Sequence, residues 1–243
     1  MDGEVEPIER ATLAAVPPQA LEEAHGWLLA FDDGTVGRAH SAAPLRHDAA
    51  TAATASAVLA RYREQGRRPV LRLPDAEAFA PLQAQLARDG FAAGRPTLVQ
   101  VAPLATVAPR GSGAAVELAG QASDPWRAVF LGEGFDPADG ASRSAILARS
   151  RDTVYASIAQ GGRCVAVGAG CLAHGWCGIH GMRTLPEERG RGHAGAILAA
   201  LAQAAAARGI TRAFLQVEEG NAGARSLYRA AGFRTAWRYR YWA

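Results

Sequence analysis

The chain has 243 residues, a formal charge of +3 and 49% hydrophobic residues, enough to build a core for one large domain or two of ordinary size. No stretch approaches the roughly 20 apolar residues of a membrane span, and Met1-Asp2-Gly3-Glu4 is the opposite of a basic secretory leader, so a soluble cytoplasmic protein without a membrane partner is expected. All 26 basic residues are arginine, which excludes lysine catalysis, and their dispersal under a small net charge argues against nucleic acid as a partner.

In chain order, residues 51–65 read as an alanine-rich helix stopped by Gly66, 70–73 as a strand, 77–89 as a helix stopped by Gly90, and 97–101 as a strand. Residues 103–113, with two prolines and two glycines, are the linker candidate and divide the chain into domains 1–105 and 106–243. Beyond it, 122–131 and 141–160 read as helices, and 163–171 and 176–184 as antiparallel strands joined by a hairpin through Ala173-His174-Gly175. A helix over 193–208 carries Ile197, Leu198 and Leu201 on one face and stops at Gly209. A buried strand over 213–217, a helix over 222–231 closed by Gly232 and an aromatic strand over 233–242 complete the chain. Gly66 and Gly90 are 24 positions apart and Gly209 and Gly232 are 23 apart, so the second half reads as a repeat of the first.

Cys164, Cys171 and Cys177 are odd in number and fit no zinc spacing, so no metal is expected. Buried reduced thiols are their default, while a thiol nucleophile paired with His174 or His180 stays open.

The most informative stretch is Arg189-Gly190-Arg191-Gly192-His193-Ala194, between a strand and an alanine-rich helix. Its glycines let the backbone turn tightly and aim consecutive N–H groups, and the helix adds its positive end, an arrangement suited to a diphosphate; a solvated basic turn is the alternative. One helix and one strand later comes Glu218-Glu219-Gly220-Asn221-Ala222-Gly223-Ala224-Arg225-Ser226-Leu227-Tyr228, running on to Gly232-Phe233. In this order the two motifs resemble the paired signatures of the GNAT N-acetyltransferase superfamily. The resemblance covers about 115–242, and the first segment is similar to the degenerate N-terminal half of two-domain bacterial members, as are Gly26-Trp27-Leu28-Leu29 and Arg38-Ala39-His40-Ser41.

The resemblance implies an α/β (α+β) fold of tandem GNAT-like domains, each a mixed, mostly antiparallel sheet flanked by helices, with acetyl-CoA as co-substrate. It implies that main-chain groups of Met182 and Thr184 meet the pantetheine arm and that Arg189, Gly190, Arg191, Gly192, His193 and Ala194 hold the pyrophosphate. It further implies that Asn221 contacts the cofactor arm and that the Tyr228 hydroxyl protonates the departing sulfur. On the residues alone, Asn221 also reads as a helix N-cap and Tyr228 as a core aromatic.

Many relatives place a glutamate eleven positions before the phosphate-loop signature; here that position is Gly178. Period-two alternation puts Gly178, His180, Met182 and Thr184 on one face, which makes His180 the first candidate for proton relay and Glu218 the second. Glu133, Phe135 and Asp136, in the loop between two helices, are the acceptor-binding candidates. In the first segment the positions corresponding to Asn221 and Tyr228 are Phe79 and Leu86, so that half reads as non-catalytic. The expected activity is acetyl transfer to a primary amine, a small molecule or a peptide N-terminus, by direct attack in a ternary complex of a monomer or homodimer. A non-catalytic acyl-CoA sensor is the rival.

Overall fold

Residues 2–48, 52–107, 113–132 and 136–243 are described by the computed structural model of the chain. The first half runs α1 (Asp2–Ala15), β1 (Ala20–Ala24), β2 (Trp27–Phe31), β3 (Ala42–Pro44), α2 (Ala52–Glu64), β4 (Leu71–Pro74), α3 (Ala80–Arg88) and β5 (Ala93–Pro103). The second runs β6 (Glu117–Ala119), α4 (Asp124–Leu131), α5 (Pro137–Arg149), β7 (Thr153–Gln160), β8 (Arg163–Ala173), β9 (Trp176–Thr184), α6 (His193–Ala206), β10 (Arg212–Glu218), α7 (Ala222–Ala230) and β11 (Arg234–Trp242). None of the described helices is long and apolar enough to cross a membrane.

The expected fold class is the observed one, a mixed and mostly antiparallel sheet flanked by helices, with both halves joined in a single sheet of order β1-β2-β3-β4-β11-β5-β10-β9-β8-β7-β6. Each half contains one parallel pair bridged by a helix, β3 with β4 and β9 with β10, as a β-helix-β crossover requires. The final strands are exchanged: β5 pairs with β10 of the second half, and β11 pairs with β4 of the first and with β5. Each half therefore borrows the strand that satisfies its open edge.

Three local readings change. The helix expected over 141–160 is two elements, because α5 ends at Arg149 and Thr153–Gln160 is a strand whose Val154, Tyr155 and Ile158 are buried. Branched and aromatic side chains favour that pleated surface over a helix. The expected linker starts inside the core, since Leu104 and Val107 are buried, while residues 108–112 lie outside the described residues. α1, β1–β3 and β6 carried too little periodicity to be read. The hairpin through His174 is present: Ala173 pairs with Trp176, and the two turn residues both have positive φ.

The sheet carries α6 and α7 on one face and α1, α4 and α5 on the other. On the α6 face, Ile197, Leu198 and Leu201 pack with Ile158, Val165, Ile179 and Leu215. On the α1 face, Ile8 and Ala11 pack over Trp176 and Phe214. The halves are also tied by polar bonds: Arg149 of α5 donates to Asp32 (2.5 Å) and to the Pro17 carbonyl (2.9 Å), and Gln216 of β10 donates to Thr12 of α1 (2.9 Å).

Candidate active site

The parallel ladder between β9 and β10 stops at Ile179 and Leu215, and beyond it the strands diverge. A bulge in β9 widens the gap: Val167 pairs with Arg183 while Ala169 pairs with His180, so β9 holds one extra residue there. Gly181 sits in this bulge at φ +64°, and a Cβ on it would meet Trp126 and Phe130 at 3.4 Å. The bulge breaks the expected alternation. Met182 turns to the α6 face, its sulfur over Gly168, whereas Gly178 faces Phe214 on the α1 side. His180 and Met182 thus stand on opposite sides of the strand, both bordering the gap.

The gap is a cavity of about 280 Å³ that gathers His180, Met182, Glu218, Asn221 and Tyr228. Asn221 caps α7, its Oδ1 accepting from Ala224 N–H at 3.1 Å, and it still borders the cavity, so its two readings coexist. Tyr228 packs edge-on to Phe233 and is 8% exposed. Burial pushes its phenol up to about 12, so it keeps its proton at neutral pH.

In the turn that follows β9, Gly192 caps α6 at φ +80° with no side-chain cap, and Gly190 is also left-handed at φ +77°. The amides of Ala194 and Gly195 have no acceptor among the described residues, which leaves the 14-residue helix with an open, positive N-terminus. Glu188 braces the turn, taking Arg191 at 3.1 Å and the buried His193 at 3.4 Å. Thr184 and Arg189 border a neighbouring depression of about 640 Å³ between α4 and the ends of β8 and β9; Thr184 does not reach the first cavity.

Gly178 has a steric reason. A Cβ there would lie 2.9 Å from the Phe214 ring, so a glutamate at this position would displace an aromatic of the core. His180 differs from the expected relay base, because burial first and the Arg38 cation second push its imidazole down to about 3. It is neutral at physiological pH, and its Nε2 has no partner among the described residues. Glu218 is exposed at the end of β10 on the cavity rim. The thiols of Cys171 and Cys177 are buried and pushed up to about 11 and about 12, which suppresses the thiolate needed for a nucleophile.

Of the acceptor candidates, Asp136 caps α5 through Asp139 N–H (2.8 Å) and is not part of the cavity wall, whereas Glu133 and Phe135 lie outside the described residues. The wall opposite β9 is built from Ala15, Val16, Val36 and Arg38 of the first half and from Arg143 and Ile146 of α5. Sequence reasoning missed these because a short loop and a helix face become neighbours only in the tertiary fold. In the first half, Phe79 and Leu86 are buried core residues of α3 and its approach, with no polar group to offer a ligand.

A splayed parallel pair, a bulged strand and an uncapped helix N-terminus define the class: a GNAT-fold acetyltransferase. The chain belongs to the family described as "Probable histone acetyltransferase Rv0428c C-terminal", whose model matches residues 3–242. No curated protein matches it. Similar solved structures include a GCN5-related N-acetyltransferase from Kribbella flavida, at 19% identity and a TM-score of 0.71 over 98% of this chain and 94% of that one. A GCN5-related N-acetyltransferase from Sphaerobacter thermophilus is 18% identical with a TM-score of 0.61, over 99% and 92% of the two chains. A tandem GNAT protein from the clavulanic acid biosynthesis pathway is 14% identical with a TM-score of 0.63, over 97% and 86%.

Proposed function

We propose that the protein transfers acetyl from acetyl-CoA to a primary amine by direct attack in a ternary complex, with residues 106–243 carrying the chemistry and 1–105 acting as a degenerate partner half. The observation that carries this reading is the convergence of His180, Met182, Glu218, Asn221 and Tyr228 on one cavity, with β9, which lines it, leading through the arginine-glycine turn into the open N-terminus of α6. That terminus and the Arg189–Ala194 turn fit a pyrophosphate, whose charge both the free amides and the helix dipole favour. Bound there, acetyl-CoA supplies an activated thioester.

The chain's own groups do the rest. Main-chain N–H groups beyond the end of the β9–β10 ladder, Met182 first, serve as donors to the thioester carbonyl, a contribution of about 2–4 kcal/mol for a well-placed donor. Asn221 holds the arm with the amide nitrogen that its cap leaves unused. Neutral His180 accepts a hydrogen bond from the amine, Glu218 takes up its proton directly or through water, and Tyr228 protonates the sulfur. Phe214 over Gly178 favours a second reading, a non-catalytic acyl-CoA-binding module.

Thiol release from acetyl-CoA over a panel of amines separates the two. Acetyl transfer predicts an acetylated amine and a loss of kcat of about a hundredfold in Tyr228→Phe. Tight CoA binding with no turnover on any amine, and no effect of Tyr228→Phe, supports the binding module.

A further inference from the structure

Resting on the acetyl-transfer reading, we infer that the acceptor is a small amine carrying its own oxyanion, carboxylate or phosphate, and that Arg38 of the first half binds that group. Arg38 lies in the helical turn Gly37–His40, is half-buried and borders the cavity together with His180. No carboxylate among the described residues pairs with its guanidinium. Other arginines on this side are satisfied: Arg143 donates to Asp139 at 2.9 Å and Arg149 to Asp32 at 2.5 Å. A half-buried guanidinium without a counter-ion carries a desolvation cost that an incoming oxyanion relieves.

The turn holding Arg38 is fixed before any ligand arrives. Asp32 accepts from Gly34 N–H at 2.8 Å and from Arg149, Thr35 N–H donates to Ser142 at 2.9 Å, and the Thr35 hydroxyl donates to Asp139. Gly37 lies so close to the Tyr241 ring that a Cβ would meet it at 3.0 Å. Such anchoring places the guanidinium at little further entropic cost.

The balance of charge points the same way. With Arg143 paired to Asp139, Arg38 stands at the cavity against one carboxylate, Glu218, among its described residues, and Glu218 is needed for the amine. His180 adds a second polar group whose Nε2 has no partner among the described residues. A lysine-rich peptide would bring further cations against this wall, whereas a molecule with one amine and one oxyanion matches Glu218 and Arg38 together. A cavity of about 280 Å³ that also takes the thioester end leaves room only for a small acceptor. The transfer keeps its balance: the ammonium first gives one proton through Glu218 to water, the N–C bond forms and the thioester C–S bond breaks, the sulfur takes the Tyr228 proton, and the second amine proton passes through Glu218 and water back to Tyr228.

The test uses the full chain with acetyl-CoA and two matched sets of amines, the standard α-amino acids and O-phosphoethanolamine against α-amino acid carboxamides and ethanolamine. The expected result is a kcat/KM at least about tenfold higher for the anionic set. Arg38→Gln should raise KM for that set by about tenfold and leave KM for acetyl-CoA unchanged, with Arg38→Lys restoring part of the loss. In parallel, calorimetry measures binding of N-acetylated amino acids and their amides to the CoA complex of wild type and Arg38→Gln. Arg38-dependent binding of the acids without turnover of any amine would sink acetyl transfer and keep the anion site. Turnover confined to neutral or basic amines, equal rates for both sets, or no effect of Arg38→Gln would overturn the anion site and keep acetyl transfer. Absence of both turnover and binding of the acids would overturn both.

Discussion

Gly181 has φ +64°, a conformation that a branched side chain adopts only under strain, and a Cβ there would already touch two aromatic rings of α4 at 3.4 Å, leaving little room for a larger group. Gly181→Val should therefore cost about 1–3 kcal/mol of stability, read by urea denaturation, and close the gap enough to raise KM for acetyl-CoA. His180 has a second consequence. Burial holds its imidazole near 3 against 6.5 for a free histidine, so between these values the unfolded chain binds more protons than the folded one. Stability must rise with pH across that window and be lost as pH falls through it. Urea midpoints measured from neutral pH downward should show this slope in wild type and a shallower one in His180→Gln; equal slopes would contradict the burial argument. Tyr228, Asn221 and the arginine-glycine turn were singled out by a local motif, and the structure puts Tyr228 and Asn221 on the cavity wall. Arg38 was not, since its meaning lies in the distance to His180, and neither was the bulge that moved Met182 to the other face.

At the scale of elements, the site depends on where β9 and β10 stop pairing and on how α6 begins. Gly192 starts that helix in a left-handed conformation, which a branched residue adopts only under strain. Gly192→Val should raise KM for acetyl-CoA by about tenfold or more and leave KM for the amine near wild type, since the acceptor wall belongs to other elements; initial-rate kinetics in both substrates decides it. Long elements with clear stops were legible, α6 ending near Gly209 above all. The error at 141–160 arose because alanine and serine continue across the boundary, and only the run Thr153-Val154-Tyr155 marks the strand. The three-residue strands β3 and β6 draw their order from their neighbours, so their own sequence says little.

For the whole molecule, the exchange of β5 and β11 makes the halves dependent on each other. Residues 1–105 alone would expose an edge of β4 and keep a β5 without its neighbours, and residues 106–243 alone would lack the strand that pairs with β10. The full chain should unfold in one cooperative transition, and either segment expressed alone should show no cooperative unfolding by calorimetry. A folded 106–243 that binds CoA as tightly as the full chain would refute this dependence. The spacing of four glycines pointed to a repeat, but the strand exchange could not be read, because periodicity reports which residues form a strand and never which strand lies beside it. The same merging carries Arg38 and α1 to the second half's cleft. The most direct test of the whole account is a crystal structure with CoA bound. It should show the pyrophosphate on the amides at the start of α6 and the sulfur in the β9–β10 cavity beside the Tyr228 hydroxyl; CoA lying away from Arg189–Ala194 would contradict it.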